Sequence, residues 1–114
     1  MKNTYIVVCT TFDSAEEAKA MIERLLRQRL VSCCQLTHIE SSYRWQGEIV
    51  HSPEFLVQMK SRRSLYAAVE ACIREHHSYE VPEIVAYDIT QGSSAYLQWI
   101  DKETVGEADE AVSV

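Results

Sequence analysis

Glycine is scarce in this sequence, with three in 114 residues, and proline scarcer still, with two. No G-x-G-x-x-G or G-x-x-x-x-G-K-[ST] run is present, so the backbone cradle that nucleotide phosphates require is missing. G-x-S-x-G is absent as well, and nothing in the spacing of cysteine and histidine marks a catalytic dyad. The expectation is a protein that is not an enzyme. The chain also lacks an apolar run near the roughly 18 residues that span a bilayer, so no membrane partner is expected. The N-terminus, Met1-Lys2-Asn3-Thr4-Tyr5, has one positive charge but no apolar segment followed by a small-residue cleavage site. That pattern points to the cytoplasm.

A surplus of base is likewise missing. Eleven Lys and Arg against 17 Asp and Glu leave a formal net charge of −6, which argues against nucleic acid because counterion release needs clustered cations. A metal ion or another cation suits this balance better. The four cysteines (Cys9, Cys33, Cys34 and Cys72) show no C-x-x-C spacing, so neither a zinc knuckle nor a redox motif is indicated. In a reducing compartment they are thiols. The four histidines (His38, His51, His76 and His77) form no H-x-H or H-x₃-H pair, so a preformed site of high affinity within one chain is not signalled.

What remains is an ordinary globular composition, 46% hydrophobic and 25% charged, in a chain long enough for one domain. Tyr5-Ile6-Val7-Val8-Cys9-Thr10 reads as a strand covered on both faces. Ser14-x-x-Glu17 has the form of a capping box. Ala18, Met21, Ile22 and Leu25 then make one helical stripe, and Arg24, Arg27, Gln28 and Arg29 lie on a solvated face near its end. From Val31 the period changes to that of strands. Gly47, within Trp45-Gln46-Gly47-Glu48, supplies the positive φ of a tight hairpin turn. Phe55, Val57 and Met59 alternate along the second arm, where Pro53 demands an edge position or a bulge. Leu65, Ala68, Val69, Cys72 and Ile73 mark a second helix. Residues 84–89 form a fourth strand, Gly92 a turn, and Ser93 or Ser94 caps a short last helix through Ile100. Residues 1–102 make the domain, and 103–114 read as an acidic, loosely ordered tail.

The order β-α-β-β-α-β is that of a ferredoxin-like α+β fold with an extended β2–β3 hairpin and a short C-terminal helix. Both helices of such a fold cover one face of the sheet, and the other face is left bare. An apolar sheet face needs a cover, and for a chain of this size the natural cover is another copy of itself.

Three motifs in this order resemble those of the CutA divalent-cation-tolerance family. They are Tyr43-Arg44-Trp45-Gln46-Gly47-Glu48-Ile49 followed by Glu54 and Lys60; His77-Ser78-Tyr79-Glu80-Val81-Pro82-Glu83-Ile84; and Gly92 with Tyr96-Leu97-x-Trp99-Ile100. The resemblance spans residues 5–101. Ser78 stands where the family usually has proline and Ser61 where it usually has threonine, and the stretch 35–40 lacks the family's Pro-Gly. The resemblance implies a homotrimer with an assembly like that of the PII signalling proteins, tolerance of divalent cations such as copper, and no established catalysed reaction. It also implies that Trp45, Lys60, Tyr79, Glu80 and Glu83 lie near a cleft between subunits.

For these residues, and for Glu54, two readings stand: structural ion pairs at subunit junctions, or a polar pocket between subunits. Trp45 at a hairpin tip suits burial against a neighbour or stacking on a ligand. Cys9, Cys33 and His77 are the candidate metal ligands. A thiol favours Cu(I), and imidazole with carboxylate favours Cu(II) or Zn(II). The bland reading makes the thiols small buried apolar groups and the histidines solvated surface. Cation homeostasis by a homotrimer that binds copper or another divalent ion is the leading expectation. A trimeric small-molecule sensor, or a structural module, are the alternatives.

Overall fold

The computed structural model describes residues 4–105. The elements in chain order are β1 (Tyr5–Phe12), α1 (Ala15–Arg27), β2 (Cys33–Trp45), β3 (Glu48–Arg62), a single 3₁₀ turn (Arg63–Leu65), α2 (Tyr66–His76), β4 (Ile84–Ile89) and α3 (Ser94–Glu103). The strands form one antiparallel sheet in the order β2-β3-β1-β4, so the described residues make a small α+β fold of one four-stranded sheet and three α-helices.

Local chemistry accounts for most of the boundaries. Ser14 caps α1 by accepting a hydrogen bond from the Glu17 amide at 3.2 Å. The stripe Ala18, Met21 and Leu25 is buried. The helix ends in a Schellman motif, with Leu30 N–H donating to the Leu25 carbonyl and Arg29 N–H to that of Leu26. At the hairpin tip Gln46 (φ 52°) and Gly47 (φ 84°) both take positive φ, the signature of a type I′ turn, whose twist matches the strands it joins. Ser93 caps α3 through the Tyr96 amide.

The hairpin runs past the body of the domain. β1 stops at the pair Phe12–Phe55, so among the described residues the first half of β3 pairs with β2 alone. Pro53 lies in that two-stranded part, opposite Glu40 in an unbroken register. Its missing N–H is therefore accommodated at an open edge, without a bulge. The long axis measures 51 Å and the radius of gyration 15.3 Å, against about 13 Å for a compact chain of this length.

α1 and α2 cover one sheet face and enclose Ile6, Val8, Phe12, Val57 and Met59. The opposite face is not wholly bare, which corrects the expectation from element order. α3 crosses one end of it, where Tyr5 donates to Asp101 at 2.6 Å and buried Arg62 donates to Thr104 at 3.0 Å. The rest stays open, with Tyr87 62% exposed. α3 runs through Glu103, Thr104 is buried, and Val105 packs against the core. Ordered packing thus extends to residue 105. The remainder of the acidic stretch, 106–114, lies outside the described residues.

Candidate functional site

The overhanging hairpin and the loop between α2 and β4 enclose a groove of about 590 Å³. Pleating explains which side chains face it. Ser41, Tyr43 and Trp45 alternate along β2, paired in register with Ser52, Val50 and Glu48. They share the face turned away from α1 and α2 with Thr11 and Glu54. Tyr79, Glu80 and Glu83 come from the loop and complete the wall.

The loop is pinned at several points. Glu17 accepts from the Ser78 backbone N–H at 2.8 Å and from its hydroxyl at 2.9 Å. The serine half of the capping box therefore forms, while its glutamate reaches across to another element. A proline at position 78 could supply neither of those donors. The His77 side chain is fully buried and stacks on Phe12, with ring centroids 4.3 Å apart. Its Nδ1 accepts from the Tyr79 N–H at 3.1 Å, so Nε2 carries the proton and donates to the Thr11 carbonyl at 2.7 Å. Tyr79 in turn donates its hydroxyl to Glu54 at 2.6 Å. Burial first, and then that hydrogen bond, push the Tyr79 phenol well above the ordinary range.

Of the residues expected to form a pocket, Trp45, Tyr79, Glu80 and Glu83 line this groove together, and Glu54 joins them. Lys60 does not. It lies six residues along β3 from Glu54, opposite Cys33, and its ammonium donates to Gln35 at 3.0 Å.

The expected metal ligands do not converge within one chain. His77 is no surface histidine, since it is buried on the α1–α2 side with both ring nitrogens engaged. Cys9 and Cys33 project from the opposite face, but on strands separated by β3 and offset by two residues. Lattice spacing puts them roughly 12 Å apart, too far to share an ion. Burial raises the Cys9 thiol. Cys34 points the other way, into the core cluster, and is pushed up to about 12 by burial. The two adjacent cysteines thus face opposite sides, as strand alternation requires. Among the described residues no group of three or more His, Cys, Asp or Glu is placed to hold a metal ion.

Thr11 and Ser41 were not singled out from sequence, and Tyr43 was named only as part of the Tyr43–Ile49 motif and not as a lining residue. For the last two the signal was available, because they precede Trp45 at i−4 and i−2 and so share its face.

Compared with known proteins, the chain matches the family model for CutA1 divalent ion tolerance protein over residues 6–103. It is 34% identical over 99 residues to the divalent-cation tolerance protein CutA of Pyrococcus horikoshii, a match covering 87% of this chain and 97% of that one. The crystal structure of CutA1 from Oryza sativa is similar with a TM-score of 0.88 at 31% identity, covering 91% of this chain and 96% of that chain. The structure of the periplasmic divalent cation tolerance protein CutA from Archaeoglobus fulgidus gives 0.85 at 33% identity, covering 87% and 97%.

Proposed function

The chain belongs to the CutA1 divalent ion tolerance family, and from that premise we propose that it is a non-enzymatic cation-homeostasis protein working as a homotrimer, with copper foremost among its ions. One observation carries the reading of how it binds. Cys9 and Cys33 both project from the sheet face that α1 and α2 leave uncovered, yet are too far apart to share an ion. A soft-metal site on this face therefore draws its ligands from more than one copy. Self-association supplies those copies. The open part of the face presents Val85 and Tyr87, and the hairpin presents Tyr43, Trp45 and Ile49, apolar area that another chain would cover.

We read the strand order β2-β3-β1-β4 as the ferredoxin-like double split βαβ, trimerising in the manner of the PII proteins. All four cysteines are free thiols, which suits a reducing compartment, and we place the protein in the cytoplasm. A second reading, a ligand pocket at the groove, is favoured by the aromatic and acidic side chains gathered there.

Light scattering on a sizing column tests the assembly, with a mass of about three times 13.1 kDa expected and a stable monomer refuting it. Calorimetric titration of the reduced protein with Cu(II), Cu(I) and Zn(II) tests the binding. Saturation at a simple ratio per trimer, lost in Cys9→Ser or Cys33→Ser, is the expected result. Weak binding without stoichiometry, the same in both variants, refutes direct metal binding at these thiols.

A further inference from the structure

We propose that His77 is a pH-sensitive latch for the loop between α2 and β4. A second ring proton exchanges the partner of its Nδ1, from the backbone N–H of Tyr79 to the carboxylate of Glu17 on α1, and so releases the part of the loop that carries Tyr79, Glu80 and Glu83. All of the contacts involved lie within one chain. The imidazole is already fully buried there, and another copy packed against the chain can only add to that burial. The latch is therefore independent of the assembly and of the divalent-cation role.

The two ring nitrogens have different partners. Nε2–H donates to the Thr11 carbonyl at 2.7 Å, and Nδ1 accepts from the Tyr79 N–H at 3.1 Å. Glu17 Oε2 stands 3.9 Å from the same Nδ1, beyond hydrogen-bond length, and accepts instead from the Ser78 N–H at 2.8 Å. A proton taken up from water at Nδ1 leaves the ring cationic, with two donors and no acceptor. Nδ1–H then meets the Tyr79 N–H donor to donor, and that bond is lost. A carboxylate is the acceptor that a buried cation needs, and a movement of about 1 Å brings Glu17 to hydrogen-bond length.

The other groups packed around the ring offer no such acceptor. β1 presents the Phe12 ring, stacked with centroids 4.3 Å apart, and the uncharged Thr11 carbonyl. On the loop the Tyr79 ring lies 4.8 Å away, with its hydroxyl turned to Glu54 of β3. On α2, His76 turns its own Nδ1 to the Cys72 carbonyl. Asp13, which follows Phe12, carries a charge felt at the Tyr79 phenol. Glu17 is thus the carboxylate in place for the new proton, and a buried imidazolium without it would be costly. Protonation and the change of partner are coupled for that reason.

The loop pays in anchorage. With the Tyr79 N–H freed, it is held by the Ser78 bonds to Glu17, which the imidazolium now shares, and by the Tyr79 hydroxyl on Glu54. The stretch from Tyr79 to Glu83 is fixed while the ring is neutral and loosened in acid.

The test is heteronuclear NMR of the full chain, stepped from about pH 8 to about pH 5, the interval in which imidazole is the side chain that ordinarily changes charge. The His77 ring nitrogens and the Tyr79 amide are followed together, with the amide's exchange with water normalised to its intrinsic rate at each pH. One shared midpoint is expected, below which Nδ1 is protonated and the Tyr79 amide exchanges about tenfold faster. Glu17→Gln keeps an oxygen for Ser78 and removes the charge, and its melting curve confirms that it is folded. Its midpoint is expected to lie lower by about half a pH unit or more. Three results each overturn the proposal: a ring that stays neutral throughout; a ring that titrates while the Tyr79 amide does not follow; or a midpoint unmoved in Glu17→Gln.

Discussion

The guanidinium of Arg29 donates to the backbone carbonyl of Lys102 at 2.7 Å, and so the residue that turns the chain out of α1 caps the last turn of α3. Arg29 also donates to the Glu103 carbonyl at 3.2 Å, while its own carbonyl accepts from Val105 N–H. It achieves this from a left-handed backbone (φ 57°), the C′ position of the Schellman motif that glycine usually fills. Two opposed effects therefore meet at one residue, and two substitutions separate them. Arg29→Ala loses the cap and keeps the backbone strain, at an expected cost of about 1–2 kcal/mol. Arg29→Gly loses the cap but relieves the strain, and is expected to be more stable than Arg29→Ala by about 1 kcal/mol. Urea midpoints at one fixed protein concentration would decide it, and equal midpoints would refute the strain argument.

Thr10 gives a prediction of opposite sign. Its hydroxyl is fully buried on the α1–α2 side of β1 and has no hydrogen-bond partner among the described residues. Burying a hydroxyl without a partner costs on the order of 1–3 kcal/mol. Thr10→Val keeps the shape and removes the penalty, so a gain of about 1 kcal/mol is expected. Thermal melts of the two proteins compare them directly, and a loss of stability would mean that the hydroxyl is satisfied in the assembled protein.

These details mark the limit of what sequence reading reached. Element order, the Ser14 cap and the Gly47 turn were legible, because each follows from local backbone chemistry, and Pro53 narrowed its own place to an edge position or a bulge. Trp45, Tyr79, Glu80 and Glu83 were named through family resemblance as residues near a cleft between subunits, and they line one groove of the single chain. The long-range partners were not. Nothing local announces that Glu17 leaves its capping box for Ser78, 61 residues away, or that His77 is buried against Phe12. The position of α3 was missed for the same reason. Its amphipathic pattern says that one side is covered, but not that the cover is the sheet face away from α1 and α2.

Alkali should destabilise the protein. Burial, reinforced by the hydrogen bond to Asp101, raises the Tyr5 phenol to about 12, and Tyr79 is raised by burial and by Glu54. Both groups hold their proton more tightly folded than unfolded. Their contribution is therefore complete below the unfolded value of about 10 and is lost as the pH rises through the folded values. Denaturant midpoints should hold up to about pH 9 and then fall steadily towards pH 12. Tyr5→Phe and Tyr79→Phe should each start lower and fall less. A wild-type midpoint that is flat over this window would contradict the assignment.

Arg62 carries the heaviest structural load at the end of α3. It is 1% exposed, and its guanidinium donates to the Thr104 hydroxyl at 3.0 Å, to the Thr104 carbonyl at 3.3 Å and to the Val105 carbonyl. Asp101 approaches at 3.8 Å. A buried cation is tolerable only with such a full set of acceptors. Arg62→Leu removes the donors and strands three oxygens, so a loss of about 3 kcal/mol is expected. Thr104→Val strands a single donor and should cost about 1 kcal/mol. Because the two residues share the bond, the double variant should cost less than the sum of the singles. Hydrogen exchange adds a spatial check, since the amides of α3 should lose protection in Arg62→Leu while those of α1 keep theirs. Uniform loss across both helices would show that α3 is not held separately by Arg62 and unfolds only with the whole domain.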